Sequence, residues 1–209
     1  ETTTGPLGQG VANSVGMAIA ERWLAARYNR PGMNLFDYNI YAICSDGDLM
    51  EGISNEAASI AGHLKLSNLC WIYDDNHITI EGNTELAYSD DVARRFGGLG
   101  WHVLRVPDAN DSKAISAAIE KFKEHDGGPT MIIVRSHIAY GAPHKQDSHD
   151  AHGAPLGADE IRGTKQFYGW PADADFLVPD EVPAHFQEML GARGAEAHGE
   201  WQSTWETYK

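Results

Sequence analysis

The chain has 209 residues, enough for one substantial core, and carries 16 Lys and Arg against 30 Asp and Glu. The net charge of -14 argues against bulk electrostatic binding of nucleic acid or an anionic membrane, so a phosphate-bearing ligand has to be held locally, by metal, helix ends and a few donors. No apolar run approaches the ~20 residues that span a bilayer, no secretory signal opens the chain, and the two cysteines, Cys44 and Cys70, fall in strand-like runs, where thiols are ordinarily inert core groups. A cytoplasmic, reducing compartment is expected.

Gly5-Pro6-Leu7-Gly8-Gln9-Gly10 reads as a glycine-rich loop, by itself an ordinary entry turn. It leads into a predicted helix from about Val11 to Asn29, with Val11, Val15, Ile19, Trp23 and Leu24 on the apolar side and Pro31-Gly32 as the stop. Tyr38 to Cys44 predicts a strand, followed by the turn Ser45-Asp46-Gly47-Asp48 and a helix from about Gly52 to Leu64 carrying Ile53, Ala57, Ile60, Ala61 and Leu64 at helical spacing. Asn68 to Tyr73 predicts a second strand, which makes the cysteines neighbours in a parallel pair, and Asp74-Asp75-Asn76-His77-Ile78 its exit turn. A short helix from Asp90 to about Phe96, a strand from Trp101 to Val106, a capped helix from Asp111 to His125 and a strand from Thr130 to Arg135 continue the alternation. The class is therefore α/β, a twisted parallel sheet with helices on both faces.

Ser136 to Gly157 carries no pattern, and so long a segment in a compact domain is usually functional. The spacing of His144, His149 and His152 invites a zinc reading, which no cysteine or helical register supports. Beyond it come a helix from about Asp159 to Tyr168, a proline-interrupted link, and two helical stretches, about Glu181 to Leu190 and Gly194 to Tyr208. Trp201, Trp205 and Tyr208 form a stripe expected to clamp this tail to its own domain. The division expected is residues 1–157 as one domain and 158–209 as a helical tail, packing on it or leading to a further domain.

Consecutive parallel strands point the same way, so Asp46 and Asn76 emerge at one carboxyl edge, where open α/β sheets hold ligands. Mg²⁺ takes one or two protein carboxylates and leaves other positions to water and phosphate oxygens. Asp46 offers charge, Asn76 a neutral oxygen and Ile78 a main-chain carbonyl, while Gly47 lets backbone approach a diphosphate beside the free N–H groups of a helix beginning near Leu49. Either motif alone is the usual turn chemistry of strand ends.

In tandem the two motifs resemble the thiamine diphosphate motif. With Thr3-Thr4-Gly5-Pro6-Leu7-Gly8-Gln9-Gly10, Asp46-Gly47-Asp48-Leu49-Met50-Glu51-Gly52-Ile53-Ser54, Tyr73-Asp74-Asp75-Asn76-His77-Ile78-Thr79-Ile80 and His152-Gly153-Ala154-Pro155-Leu156, the chain resembles transketolase from Thr3 to about Gly157, and more weakly beyond. One departure is Ser45, where the family usually has Gly, which predicts a slightly less tight turn.

The resemblance implies thiamine diphosphate with Mg²⁺, or Ca²⁺ or Mn²⁺ in its place, held through Asp46, Asn76 and Ile78, with Gly5, Leu7, Gly47 and Ile80 against the cofactor. It implies transfer of a two-carbon ketol unit from a ketose phosphate to an aldose phosphate. His152 is then the group that reaches the diphosphate and the substrate oxygen, with His149 a second candidate, and Glu51 couples two cofactor sites near a dimer axis. The family's pyrimidine-binding segment matches no word of this chain, so the chain reads as an internal piece, inactive alone, that needs a homodimer partner or a complementing polypeptide. The alternative readings are another thiamine diphosphate enzyme, such as dihydroxyacetone synthase, deoxyxylulose phosphate synthase or a dehydrogenase subunit, and a cofactor-binding subunit without activity of its own that needs a partner chain.

Overall fold

The structure is a computed structural model that describes residues 2–209. Four parallel strands, β1 (Ile40–Ser45), β2 (Leu69–Asp75), β3 (His102–Val106) and β4 (Thr130–Arg135), stand in the order β1-β2-β4-β3. Each begins and ends within about two residues of its expected position, because an apolar run bounded by turn residues specifies a strand. β2 and β4 are buried on both faces, whereas on the edge strand β1 Tyr41 and Ile43 stand exposed. Alternation along β4 makes the two faces visible. Met131 and Ile133 join the core shared with α1 (Gln9–Tyr28), α3 (Gly52–His63) and α4 (Val92–Gly98), whereas Ile132 and Val134 join the core under α5 (Ser112–Glu124). Since β4 inserts between β2 and β3, the β3 to β4 connection runs backwards across the sheet, and a right-handed crossover puts α5 on the opposite face.

The stripes that α1 and α3 bury differ from those expected. In α1 the buried residues are Val11, Ser14, Val15, Ala18 and Glu21, while Ile19 and Trp23 are exposed. A row of every fourth residue drifts by about 40° per step in a helix of 3.6 residues per turn, so a row started at Val11 has left the core by Trp23. In α3 the buried set is Ser54, Ala57, Ala58 and Ala61, while Ile53, Ile60 and Leu64 remain exposed. Small residues thus line the packed face of α3, and large apolar ones its open face. At the end of α3, a Cβ on Gly62 would stand 1.8 Å from the Leu99 carbonyl oxygen, so α4 closes against bare backbone there.

Trp71 and Trp101 centre the first core, their rings 4.6 Å apart, with Phe96 edge-on to Trp101. Each indole N–H is satisfied, from Trp71 to Ser14 Oγ and from Trp101 to the Ala58 carbonyl, both at 2.9 Å, as buried indoles require. Cys44 and Cys70 are free thiols on opposite faces. Cys44 pairs in register with Tyr73, three residues past Cys70, and an odd offset inverts the side-chain direction, so the two are not close neighbours. Burial pushes both thiols up, that of Cys70 to about 12.

After β4 the loop folds back on α6 (Ala158–Phe167). Tyr168 donates to the Tyr140 carbonyl at 3.0 Å, and Phe167 closes on Gly141. The two tail stretches form one helical run, α7 (Glu181–Phe186), a π turn (Gln187–Ala192) and α8 (Arg193–Tyr208), with helical backbone at every junction. Trp201, Trp205 and Tyr208 stack along α8, and Tyr208 meets the end of α1: the Arg30 guanidinium lies 3.8 Å above its ring, and its hydroxyl donates to the Tyr28 carbonyl at 2.8 Å. No helix of the described residues is long and apolar enough to cross a membrane.

Candidate active site

The register pairs Ser45 with Asp74, so Asp46 and Asn76 leave adjacent strands at one edge of the sheet. Asp46 opens a short helix, α2 (Asp46–Met50), which starts three residues earlier than expected and breaks at Glu51 before α3 begins. Ser45 has extended backbone, φ -130°, which any residue adopts, so its replacement of a glycine costs the turn nothing.

Asp46 is only 1% exposed. Its Oδ1 accepts a hydrogen bond from the Tyr73 hydroxyl, and its Oδ2 is buried with no partner. Burial raises the Asp46 carboxyl pKa, opposed by the Tyr73 bond and reinforced by the charge of Asp75. Burial, followed by the bond to Asp46, also pushes the Tyr73 phenol up. A buried carboxylate oxygen without a donor is costly unless a cation faces it.

The Asn76 amide is oriented by two partners: Nδ2 donates to Asp74 Oδ2 at 2.9 Å, and Oδ1 accepts from the Ile78 N–H at 2.8 Å. A carboxamide oxygen has two lone pairs, so one stays available. Ser136, just after β4, donates to the other oxygen of Asp74, which ties the ends of β2 and β4 into one network. His77 takes left-handed backbone, φ 64°, and the chain reverses through a tight hairpin closed by Thr84 N to His77 O and Thr79 N to Gly82 O. The Ile78 carbonyl stands outside those bonds, its side chain is buried, and Ile80 is turned outward.

On the other side of Asp46 stands the glycine loop. The Gly8 amide donates to Asp48 Oδ1 at 2.9 Å, and the Ser45 amide donates to Asp48 Oδ2 at 3.1 Å. A Cβ on Gly47 would lie 3.3 Å from Leu7, so the loop rests on the Asp46 turn. Glu51 is exposed, its Cβ 2.9 Å from where a side chain on Gly8 would begin.

Asp46, Tyr73 and Asp75 line a cavity of about 270 Å³, and Asn76 and Ile78 line one of about 460 Å³; His77, Thr84 and Tyr88 border both. Gly5, Leu7 and Asp48 line a third of about 730 Å³. Asp46, Asn76 and Ile78 thus lie at one sheet edge but line two different cavities, while Gly5 and Leu7 line the third, and Gly47 and Glu51 touch the glycine loop without lining any. Ile80 and His152 line none of these cavities. His152 is exposed on the long loop, where His137 is held by Asp147 and His144 by Glu160.

The residues that sequence reasoning missed are those that hold others. Asp48 was detectable as the third residue after Ser45, the spacing of a capping box. Tyr73, Asp74 and Arg95 gave no local signal. Arg95 donates to the Leu49 carbonyl at 3.2 Å, to the Tyr88 hydroxyl and to Asp90, so it clamps the end of α2 against the cavity wall.

Among the described residues no three His, Cys, Asp or Glu side chains gather as a metal cluster. One carboxylate with an unpartnered oxygen, one oriented carboxamide and one main-chain carbonyl make instead a partial set of hard oxygen donors. Such a set fits a cation that shares its coordination with a phosphate ligand.

A parallel sheet with this donor set and a glycine loop at its carboxyl edge defines a thiamine diphosphate-binding domain. The family model described as "Transketolase, thiamine diphosphate binding domain" matches residues 1–209, and the chain belongs to that family. A transketolase of Geobacillus stearothermophilus is 49% identical over 209 residues, all of this chain and 31% of its own length. A solved transketolase from Leishmania mexicana superposes with a TM-score of 0.94 at 40% identity, covering 99% of this chain and 31% of that one. A Pichia stipitis transketolase solved with sedoheptulose 7-phosphate gives 0.95 at 42% identity, covering 99% and 30%. The chain thus spans under a third of the length of these relatives.

Proposed function

We propose that this chain is the diphosphate-binding part of a transketolase-type transferase. The observation that carries the reading is the buried Asp46 oxygen without a partner, one strand end away from an oriented Asn76. Asp46, Asn76 and the Ile78 carbonyl hold Mg²⁺, for which Ca²⁺ or Mn²⁺ can substitute. Gly47 lets the diphosphate approach the backbone, and Gly5, Leu7 and Ile80 bear on the organic part of the cofactor. Bound there, thiamine diphosphate supplies the nucleophile and electron sink for moving a two-carbon ketol unit from a ketose phosphate to an aldose phosphate. Sugar phosphates as substrates are supported by the Pichia stipitis complex with sedoheptulose 7-phosphate.

His152 moves or holds a proton at the substrate oxygen, on a loop where it is without a carboxylate partner among the described residues. Residues 1–157 form the cofactor domain and 158–209 its helical tail. A second copy, or a complementing polypeptide, supplies the pyrimidine-binding part and meets the edge at Glu51, where Leu7 and Ile53 stand exposed. Two buried free thiols are in keeping with the reducing cytoplasm. The test is a calorimetric titration of thiamine diphosphate into the complete natural polypeptide with and without Mg²⁺. Asp46→Ala is expected to abolish the Mg²⁺-dependent binding and Asn76→Ala to weaken it strongly; unchanged affinity in both would refute the assignment.

A further inference from the structure

Tyr73 lies on β2 with its ring in the first core, 3% exposed, and its hydroxyl between two carboxylates. The hydroxyl donates to Asp46 Oδ1, and Asp75 Oδ1 is 3.2 Å away. A phenol has one proton, so it satisfies one carboxylate at a time, and Asp46 is the nearer. Asp75 has a second neighbour in His77 Nε2 at 3.1 Å; Asp46 Oδ1 has the phenol. The terminal torsion of an aspartate is broad and roughly two-fold, so nothing intrinsic decides which oxygen faces which way. Here the phenol holds one oxygen and leaves the other unpartnered.

We propose that Tyr73 is a positioning residue for cation binding: by holding Asp46 Oδ1 it fixes the carboxylate plane and makes Oδ2 the oxygen offered to the metal. The proposal rests on the reading of Asp46 as a cation ligand. It gives Tyr73 the part that hydrogen-bonded partners of metal-binding carboxylates play, whose loss typically costs about 10–100-fold in metal affinity.

The experiment measures the Mg²⁺ concentration that half-saturates thiamine diphosphate binding, by calorimetry on the complete natural polypeptide, for wild type, Tyr73→Phe, Tyr208→Phe and Asp46→Asn. Tyr73→Phe is expected to raise that concentration about 10–100-fold. Tyr208→Phe, which removes a hydroxyl bonded to the Tyr28 carbonyl at the far end of α1 and touches none of the site cavities, is expected to leave it unchanged. Thermal unfolding of the metal-free proteins separates fold from function: a lower melting temperature with an unaltered Mg²⁺ dependence makes Tyr73 merely structural and overturns the proposal. Wild-type binding that ignores Mg²⁺, or an Asp46→Asn variant that binds like wild type, defeats the underlying cation reading instead. Should Tyr73→Phe fail to fold, the Mg²⁺-induced infrared difference spectrum of ring-labelled wild type decides. A tyrosine C–O band that shifts, and still shifts in Tyr88→Phe, supports the proposal; a silent band overturns it.

Discussion

The Gly8 amide donates to Asp48 Oδ1 at 2.9 Å across forty residues of chain, and this bond holds the glycine loop against the turn that carries Asp46. Because the other Asp48 oxygen takes the Ser45 amide, one side chain fixes both walls of the site. Asp48→Ala leaves two amides without their acceptor, and bonds to charged groups contribute about 1.5–3 kcal/mol each. The expected outcome is a loss of roughly 2 kcal/mol or more in denaturant unfolding, with faster exchange of the Gly8 amide hydrogen. Unaltered exchange at Gly8 would count against the coupling.

Gly8 itself tolerates no side chain. Its φ is 77°, and a Cβ would stand 2.8 Å from Ile53 Cγ2 and 2.9 Å from both Glu51 Cβ and Ser54 Oγ. Left-handed backbone costs an L-residue about 1–2 kcal/mol before any overlap. Gly8→Ala is therefore expected to destabilise by more than that and to displace the loop. Gly16→Ala, inside α1 with open space around it, is expected to stabilise by about 0.5–1 kcal/mol. Thermal melts of the two variants with opposite signs would bear out the argument.

Much of this was legible in the sequence, for identifiable reasons. The four strands and most helices are specified by local runs and stops, and the positions of Asp46 and Asn76 follow from parallel connectivity alone. What did not carry over were the helix faces and the supporting residues. An apolar residue on a helix faces either the core or a partner, and periodicity does not distinguish them: Ile53 and Ile60 have helical spacing but flank a stripe of serine and alanine. Tyr73, Asp74 and Arg95 hold their partners through contacts between segments distant in sequence, for which no spacing rule exists.

Acid sensitivity is expected from a site far from this edge. The His102 and His125 rings lie 4.3 Å apart, tilted by 38°, and His102 Nδ1 is buried without a partner. Burial, then the charges of His125 and Lys121, hold His102 below the ordinary imidazole range. The unfolded chain takes up this proton near pH ~6.5, the folded chain only at lower pH. In that window the unfolded state binds more protons, so the contribution of neutral His102 is full above about pH 6.5 and is lost as the pH falls towards the folded value. Urea midpoints at about pH 7.5 and about pH 5.5 should differ less in His102→Gln than in wild type; equal differences would remove His102 from the account.

The last prediction concerns the open faces. Leu7 is 55% and Ile53 46% exposed, and both adjoin the glycine loop, Leu7 over Gly47 and Ile53 beside Gly8. Apolar residues at this spot contribute nothing to the core, while a second copy meeting the cofactor edge would bury them. Burying one isoleucine is worth roughly 1.5–3 kcal/mol, and a two-fold interface repeats each contact. Ile53→Asp in the complete natural polypeptide is therefore expected to raise the dimer dissociation constant at least ~10²-fold. The melting temperature of the dissociated subunit should move little, because the residue is half-exposed and outside the buried stripe of α3. Sedimentation velocity over a concentration series measures the first effect and calorimetry the second. An unchanged dissociation constant would put the partner elsewhere, and a collapse in subunit stability would return Ile53 to the core from which the structure excludes it.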